Sequence, residues 1–314
     1  MNIGILSTSS IAPRFIAAVR EEGSFQITAL SSRSLEKAEE KAKAWGIPKA
    51  YGSHEDLLKD QNVDIVYISA VNSAHYKWAK AALLAGKHVI CEKPCTTAES
   101  QTRELFALAK ERNLFLMEAQ KMLFLPAVRA VKEAIDSGKL GKVRIAEFNH
   151  SFYGSYNNWM YDEAAGGGPL LSSAIYVVEL LQFLFDCEIA EVTGICTKHP
   201  GTNVEEQYAI SGRMESGVLF SLKNSTVALM KNGACIYGEK GYAELPDYWK
   251  ARKVIFCDHE TTQVQEYPCD YELVYEVSHI ADCFRKGLLQ SPVVTGEFSA
   301  AAIRVLETVK TQWN

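Results

Sequence analysis

The chain opens MNIGILSTSSIA: a short apolar run, a turn of small residues, then a helix start. A strand that turns tightly into a helix begins a β-α-β unit, and the crossover commits the next strand to run parallel to the first. The pattern recurs. Asn2–Ser7, Gln26–Ser31, Ile65–Ala70, His88–Cys91 and Leu114–Glu118 read as strands, and Pro13–Glu21, Ser34–Trp45, Ala74–Ala85 and Ala98–Glu111 as the helices between them. Asp64–Ala70 (DIVYISA) is apolar without alternation, which suits a strand covered on both faces. Residues 1–120 therefore predict a dinucleotide-binding domain built on a parallel sheet with crossover helices.

Beyond Pro126 the pattern changes. Ala127–Ser137 reads as a linking helix, and Val143–Phe152 begins longer strands with clearer alternation. Leu171–Phe185 is a strongly apolar helix. Val192–Thr197, Glu206–Met214, Val218–Asn224, Ala234–Tyr237 and Val254–Cys257 resemble an antiparallel meander, and Leu273–Lys286 and Ser299–Gln312 return to helical periodicity. Residues 121–314 predict a second α/β domain with a large, mostly antiparallel open sheet that serves substrate binding and oligomerisation, its last helix packing back on the first domain.

With 314 residues, two domains are expected on size. The formal charge of -5 argues against a nucleic-acid partner, which calls for a basic stripe. Apolar runs such as Leu180–Phe185 are too short to cross a bilayer, and the N-terminus enters a strand without a signal-peptide pattern. The eight cysteines are scattered and form no CxxC, so free thiols in a reducing cytoplasm are the expectation. The seven histidines are dispersed, there is no HExxH, and no metal site is predicted.

Glycines in a dinucleotide loop permit a tight turn and close backbone approach to the pyrophosphate. Here Ser7, Ser9 and Ala12 take the three places, and Ser7 and Ser9 tolerate positive φ less readily than glycine. An ordinary strand-to-helix turn is the competing reading. The second strand ends in Ser31, Ser32, Arg33 and Ser34, with no acid for a ribose diol. Arg33 can grip a 2′-phosphate through its fork of donors, which favours NADP(H) over NAD(H), although it could equally be an arginine facing solvent. In VICEKP, Lys93 follows an apolar strand directly, where strand ends line the ligand crevice. The bland alternative is a surface pair with Glu92. His75 sits after another strand and either lines the same crevice or caps a helix. In GGGPLLSSAIY, Gly166–Gly168 allow close backbone approach, and Tyr176 lies one helical turn after Ser172. A tyrosine in so apolar a helix is otherwise a core residue.

These features resemble the glucose-fructose oxidoreductase, inositol dehydrogenase and rhizopine-catabolism family, nearest in style to its dimeric dihydrodiol dehydrogenase branch. The resemblance runs from Asn2 to about Gln312 and rests on GILSTSSIA, SSR, DIVYISAVNSAH, AGKHVICEKP, FLMEA, LPAV, SGKLGKV, GGGPLL, AIY and SPVVTGEFSAAAIRVLETV. It implies a Rossmann domain joined to an α/β domain with an open sheet, and a homodimer or homotetramer through that sheet. It also implies hydride exchange between NAD(P) and a hydroxyl or carbonyl carbon of a neutral sugar, polyol or cyclic diol. By position, Lys93 and Tyr176 are its catalytic residues. Ser7, Ser9, Ser10, Ile11, Ala12, Ser32, Arg33, Ala70, Asn72, His75, Glu92 and Lys93 form the cofactor side. Lys93, Lys121, Trp159, Ser172 and Tyr176 form the substrate side.

The chain departs from the family pattern at Ser7, Ser9, Ser172, Ala174 and Leu123. These departures keep open a second reading, a weakened or inactive NADP(H)-binding or interaction protein of the same fold. From Ile145 through Thr197 there is no lysine or arginine, which disfavours a phosphorylated substrate. Phe152, Tyr153, Tyr156, Trp159 and Tyr161 could stack on the apolar face of a sugar or cyclic diol, or pack beneath a loop or interface.

Overall fold

The computed structural model describes residues 1–153 and 158–313. It divides into two units, each discontinuous in sequence: Met1–Gln120 with Tyr271–Ala300, and Lys121–Asp270 with Ala301–Asn314.

The first unit carries a six-stranded parallel sheet in the order β3-β2-β1-β4-β5-β6. Its strands are β1 (Asn2–Leu6), β2 (Gln26–Ser31), β3 (Lys49–Tyr51), β4 (Ile65–Ile68), β5 (His88–Glu92) and β6 (Leu116–Ala119). Helices α1 (Ala12–Glu22), α2 (Leu35–Trp45), α3 (His54–Lys59), α4 (His75–Leu84) and α5 (Glu99–Glu111) connect them. All four residues of β4 are buried, as unbroken apolarity requires. The strand order reverses between β1 and β4, so a crevice lies outside their carboxyl ends. Helix α8 (Val274–Arg285) completes this unit, its Phe284 ring meeting Phe25, His88 and Phe115. The short β3 and α3 have no counterpart in the sequence reading.

The second unit is built on an eight-stranded sheet in the order β14-β13-β12-β11-β7-β10-β9-β8. These strands are β7 (Val143–Ser151), β8 (Ile189–Lys198), β9 (Glu205–Met214), β10 (Leu219–Ser225), β11 (Gly233–Gly238), β12 (Tyr242–Pro246), β13 (Lys253–Cys257) and β14 (Thr262–Glu266). Every pairing is antiparallel except β7 with β10, so the sheet is mixed and the predicted simple meander is corrected. Two meanders, β8 to β10 and β11 to β14, flank β7 on either side. One face is buried through Ala146, Phe148, Phe220, Leu222, Ile236 and Leu245. Helix α6 (Pro126–Asp136) packs on β12 and β13 of this sheet, and α7 (Ile175–Phe185) on β8. Helix α9 (Gly296–Thr311) ends the chain.

The helical run Glu163–Phe185 is long and apolar enough to cross a membrane by length and composition, but 89% of its scanned window is buried in the fold. It is a core helix with a broken start: Leu170–Ala174 forms a π-type turn before α7 begins.

Candidate active site

The β1–α1 loop keeps the shape that glycine normally provides. Ser7 takes φ +92° and donates its N–H to Ser31 O at 3.1 Å. The Ser9 hydroxyl donates to Ser69 Oγ at 2.7 Å, tying the loop to the end of β4. Ser10 is exposed, Ile11 stands at the N-cap of α1, and Ala12 is fully buried as its first residue. No side chain caps α1; Pro13 has no N–H, the Ala12 N–H goes to Ser9 O, the Arg14 N–H to Ile11 O, and the Arg14 side chain pairs with Glu272. A small residue at positive φ, a buried Ala12 and an uncapped helix start together fit a dinucleotide pyrophosphate.

At the end of β2, Ser31 and Ser32 are buried while Arg33 is exposed. Among the described residues no carboxylate pairs with Arg33. Ser31 Oγ meets His54 Nδ1 at 2.8 Å, and Ser34 caps α2 by accepting the Lys37 N–H. Burial holds His54 below the usual histidine range, with Arg33 and Lys77 pushing the same way. The serines of SSRS are therefore partly structural, and Arg33 is its one cation.

The loop after β5 is gripped by three side chains. Tyr67, whose ring stacks on Phe15 at 3.7 Å, donates its hydroxyl to Glu92 Oε1 at 2.5 Å. The buried His75 ring places Nδ1 2.8 Å from Pro94 O and Nε2 3.0 Å from Ala70 O. Glu118, fully buried, accepts the Cys95 N–H at 2.8 Å. Between these anchors stands Lys93, half-buried, with a cis bond to Pro94. His75 is thus neither a helix cap nor an open crevice residue; it ties the β4 and β5 ends together. Burial lowers its pKa, while the two carbonyls and nearby Glu92 and Glu118 oppose that shift. Asn72 is buried in the short turn preceding α4.

In the second unit Lys121 is buried in the Lys121–Phe124 turn, which packs against α7 and the Tyr248–Lys250 turn. Tyr176 is buried near the start of α7. Ser172 turns its hydroxyl back to Gly168 O at 2.8 Å, and Ser173 likewise to Pro169 O at 2.8 Å. The π-type turn breaks the regular i, i+4 stacking expected for Ser172 and Tyr176. Gly167 and Gly168 are demanded by packing: a Cβ would lie 2.5 Å from Met160 O or 2.3 Å from Glu205 Oε1. Trp159 is half-buried in the Asn158–Tyr161 turn, and Tyr161 stacks on His199 at 3.9 Å. Tyr156 lies outside the described residues.

Three residues given no role from sequence stand out here. His150 Nδ1 meets Tyr248 Oη at 3.0 Å and its ring stacks on Trp249 at 3.9 Å. Burial pushes the Tyr248 phenol up, and neighbouring Tyr176 adds to that shift. No periodic or motif signal linked these positions, since strand β7 and the turn after β12 are about a hundred residues apart and only the fold joins them.

Residues 1–120 match the family described as "Oxidoreductase family, NAD-binding Rossmann fold", and residues 128–244 match the "GFO/IDH/MocA C-terminal domain". The chain belongs to the GFO/IDH/MocA oxidoreductase family. It is an NAD(P)-dependent oxidoreductase acting at hydroxyl or carbonyl carbons. Among curated members, trans-1,2-dihydrobenzene-1,2-diol dehydrogenase of Mus musculus is 32% identical over 320 residues, covering 98% of this chain and 95% of the relative. The Homo sapiens enzyme of the same name is 31% identical over 317 residues, with the same coverage of both chains. Solved structures share the fold closely. A 3-ketoreductase from Actinomadura kijaniata with NADP and TDP-benzene superposes with TM-score 0.90 at 23% identity, covering 100% of this chain and 98% of the other. An aldose-aldose oxidoreductase from Caulobacter crescentus with glycerol gives TM-score 0.90 at 23% identity, covering 99% and 97%.

A serine held at positive φ stores strain that glycine would release. Ser7→Gly is therefore expected to raise the unfolding free energy by about 1 kcal/mol in urea titration.

Proposed function

We propose that this protein is an NADP(H)-preferring dehydrogenase or reductase of a neutral cyclic diol, sugar or polyol. Supporting the substrate class are the dihydrodiol dehydrogenase relatives and the absence of lysine and arginine from Ile145 through Thr197. The observation that carries the catalytic reading is the three-point anchoring of the Glu92–Cys95 loop around Lys93. A lysine at the carboxyl end of a parallel strand serves the reaction only if its ammonium is presented the same way in every turnover. Lys93 orients the reacting hydroxyl and stabilises its developing negative charge, and Tyr176 accepts the hydroxyl proton, returning it when a carbonyl is reduced. The nicotinamide, when bound, takes or supplies the hydride. Arg33 is the residue for the 2′-phosphate, and Ser7, Ser9 and Ala12 surround the pyrophosphate. Lys121, Trp159 and Ser172 belong to the substrate side of this proposal.

The outer face of the large sheet supports self-association. Ile145, Ile195, Leu219, Tyr242 and Val264 are exposed there, Ile195 at 74%, and the strand register sets them all on one side. We propose a homo-oligomer through this face. All eight cysteines are free, which suits a reducing cytoplasm.

Calorimetric titration with NADPH and NADH tests the cofactor assignment. Arg33→Ala should weaken NADPH about tenfold or more while leaving NADH nearly unchanged. Equal losses for both nucleotides would remove Arg33 from the 2′-phosphate. Lys93→Met and Tyr176→Phe should each lower kcat about 100-fold with trans-1,2-dihydrobenzene-1,2-diol and NADP while NADPH still binds. Sedimentation of Ile195→Glu should show a smaller species than the parent protein, and an unchanged one would exclude the sheet face as the interface.

A further inference from the structure

Glu205 is a carboxylate built into the launch of the helix that carries Tyr176. It stands at the first position of β9 and is nine-tenths buried, at 6% exposure. Its Oε1 accepts the Leu170 N–H at 2.7 Å, at the first residue of the π-type turn that leads into α7. The carboxylate fills the space in front of Gly168, where φ is +104° and a Cβ would lie 2.3 Å from Oε1. On the next turn, Ser173 Oγ accepts from Asn224 Nδ2 of β10 at 2.8 Å, so β9 and β10 hold the same short segment from two points.

We infer that Glu205 is a positioning residue, which fixes the Gly168–Ala174 turn and through it the place of the Tyr176 phenol. This rests on Tyr176 being the acid/base of the proposed reaction. Leu170 contributes one of the amides that a helix start leaves without an intrahelical acceptor, and buried amides require a partner. A surface helix borrows water for that purpose. Here the turn is buried, and a charged oxygen at 2.7 Å makes the stronger, charge-assisted bond. Because the π-type turn already departs from the regular ladder, its internal bonds alone do not specify where α7 begins.

The groups facing Glu205 set its ionisation. Burial raises its pKa, Glu163 raises it further, and the Leu170 amide, its own amide and Lys310 lower it, for a net rise from 4.5. On β8, Lys198 stands opposite Glu205 in the strand register, and Cys196 is a further titratable neighbour, its thiol pushed up by burial and then by Glu205 while Lys198 opposes the rise. The sign follows. An acid whose folded pKa lies above its unfolded value adds stability fully below the unfolded value and loses it as pH rises through the folded one. The bond to Leu170 is instead strongest when Glu205 is ionised, so kcat should fall on the acid side as the carboxylate takes up its proton.

The test compares the full-length wild type, Glu205→Ala and Glu205→Gln by three readouts. These are turnover of trans-1,2-dihydrobenzene-1,2-diol with NADP, calorimetric NADPH binding, and hydrogen–deuterium exchange of the segment 168–176. Glu205→Ala should lose kcat about tenfold or more, keep NADPH affinity, and exchange faster across that segment. Glu205→Gln keeps a neutral carbonyl oxygen for the Leu170 amide, as protonated Glu205 does, so its kcat should stay above that of Glu205→Ala, near the acid-side level of wild type, and show no acid-side fall. Wild-type kcat and exchange in Glu205→Ala would overturn the inference, as would a Glu205→Gln variant as damaged as the alanine. If wild type does not turn over the diol, the functional reading fails for that substrate. The exchange comparison still decides Glu205: faster exchange confined to 168–176 upholds its structural hold, and unchanged exchange overturns it. Should Glu205→Ala not fold, the glutamine variant decides alone, through its pH profile and exchange.

Discussion

The first unit depends most on the hold that three buried side chains keep on four residues. Tyr67 holds Glu92, His75 holds the carbonyl of Pro94, and Glu118 holds the amide of Cys95. Each comes from a different element: β4, the start of α4 and β6. A loop on the surface would satisfy these groups with water and keep its freedom. Here the bonds to Pro94 O and the Cys95 N–H are buried, and removing His75 or Glu118 leaves that group short of a partner, at about 1–3 kcal/mol. The Glu92–Cys95 segment is consequently as fixed as the sheet beside it, and Lys93 inherits that fixity. Long lysine side chains are costly to order, so a reaction that uses one benefits when its backbone is already still.

The second unit solves a related problem by different means. Helix α7 is apolar nearly all round and buried, which secures it laterally but says little about its axial position. Apolar packing tolerates a shift along the helix axis better than hydrogen bonds do. The polar groups at its start supply the missing axial reference: Ser172 and Ser173 bond backward, and Glu205 and Asn224 reach in from the sheet. The glycines at 167 and 168 then appear as the residues that let these pieces approach. A run of glycines that reads as a ligand cradle in one dimension is a packing device in three.

The architecture was largely legible because it follows from strong local periodicity. Unbroken apolarity at β4 and the strand-to-helix opening each state a local rule that the fold obeys. The strands and helix left unread, β3, α3 and the five-residue β12 and β14, were weak on that scale. Strand β3 has three residues and α3 six, too few for a period to register. The parallel pairing of β7 with β10 depends on a long connection, so alternation along either strand leaves its direction open. Of the candidate site, sequence singled out residues on strand ends and in short motifs, Lys93, Arg33 and Ser7 among them. Their supports were not singled out. Tyr67, Glu118, His54 and Glu205 look like ordinary core or surface positions until the fold carries them to a partner dozens of residues away.

Serine in place of glycine at the first loop position has a consequence for electrostatics as well as for strain. The chain has a formal charge of -5, so a polyanionic dinucleotide meets no general attraction. What draws it must be local. The start of α1 offers its dipole end, with Glu272 held against Arg14 beside it, and Arg33 offers a guanidinium that no described carboxylate neutralises. The Ser7 amide is already committed to Ser31 O and the Ser9 hydroxyl to Ser69, so these two groups shape the turn more than they attract the ligand. On the proposed NADP(H) reading, Arg33 is then the cation that holds the 2′-phosphate. That contact is charge-driven and screened by salt, so on this reading nucleotide affinity falls as ionic strength rises.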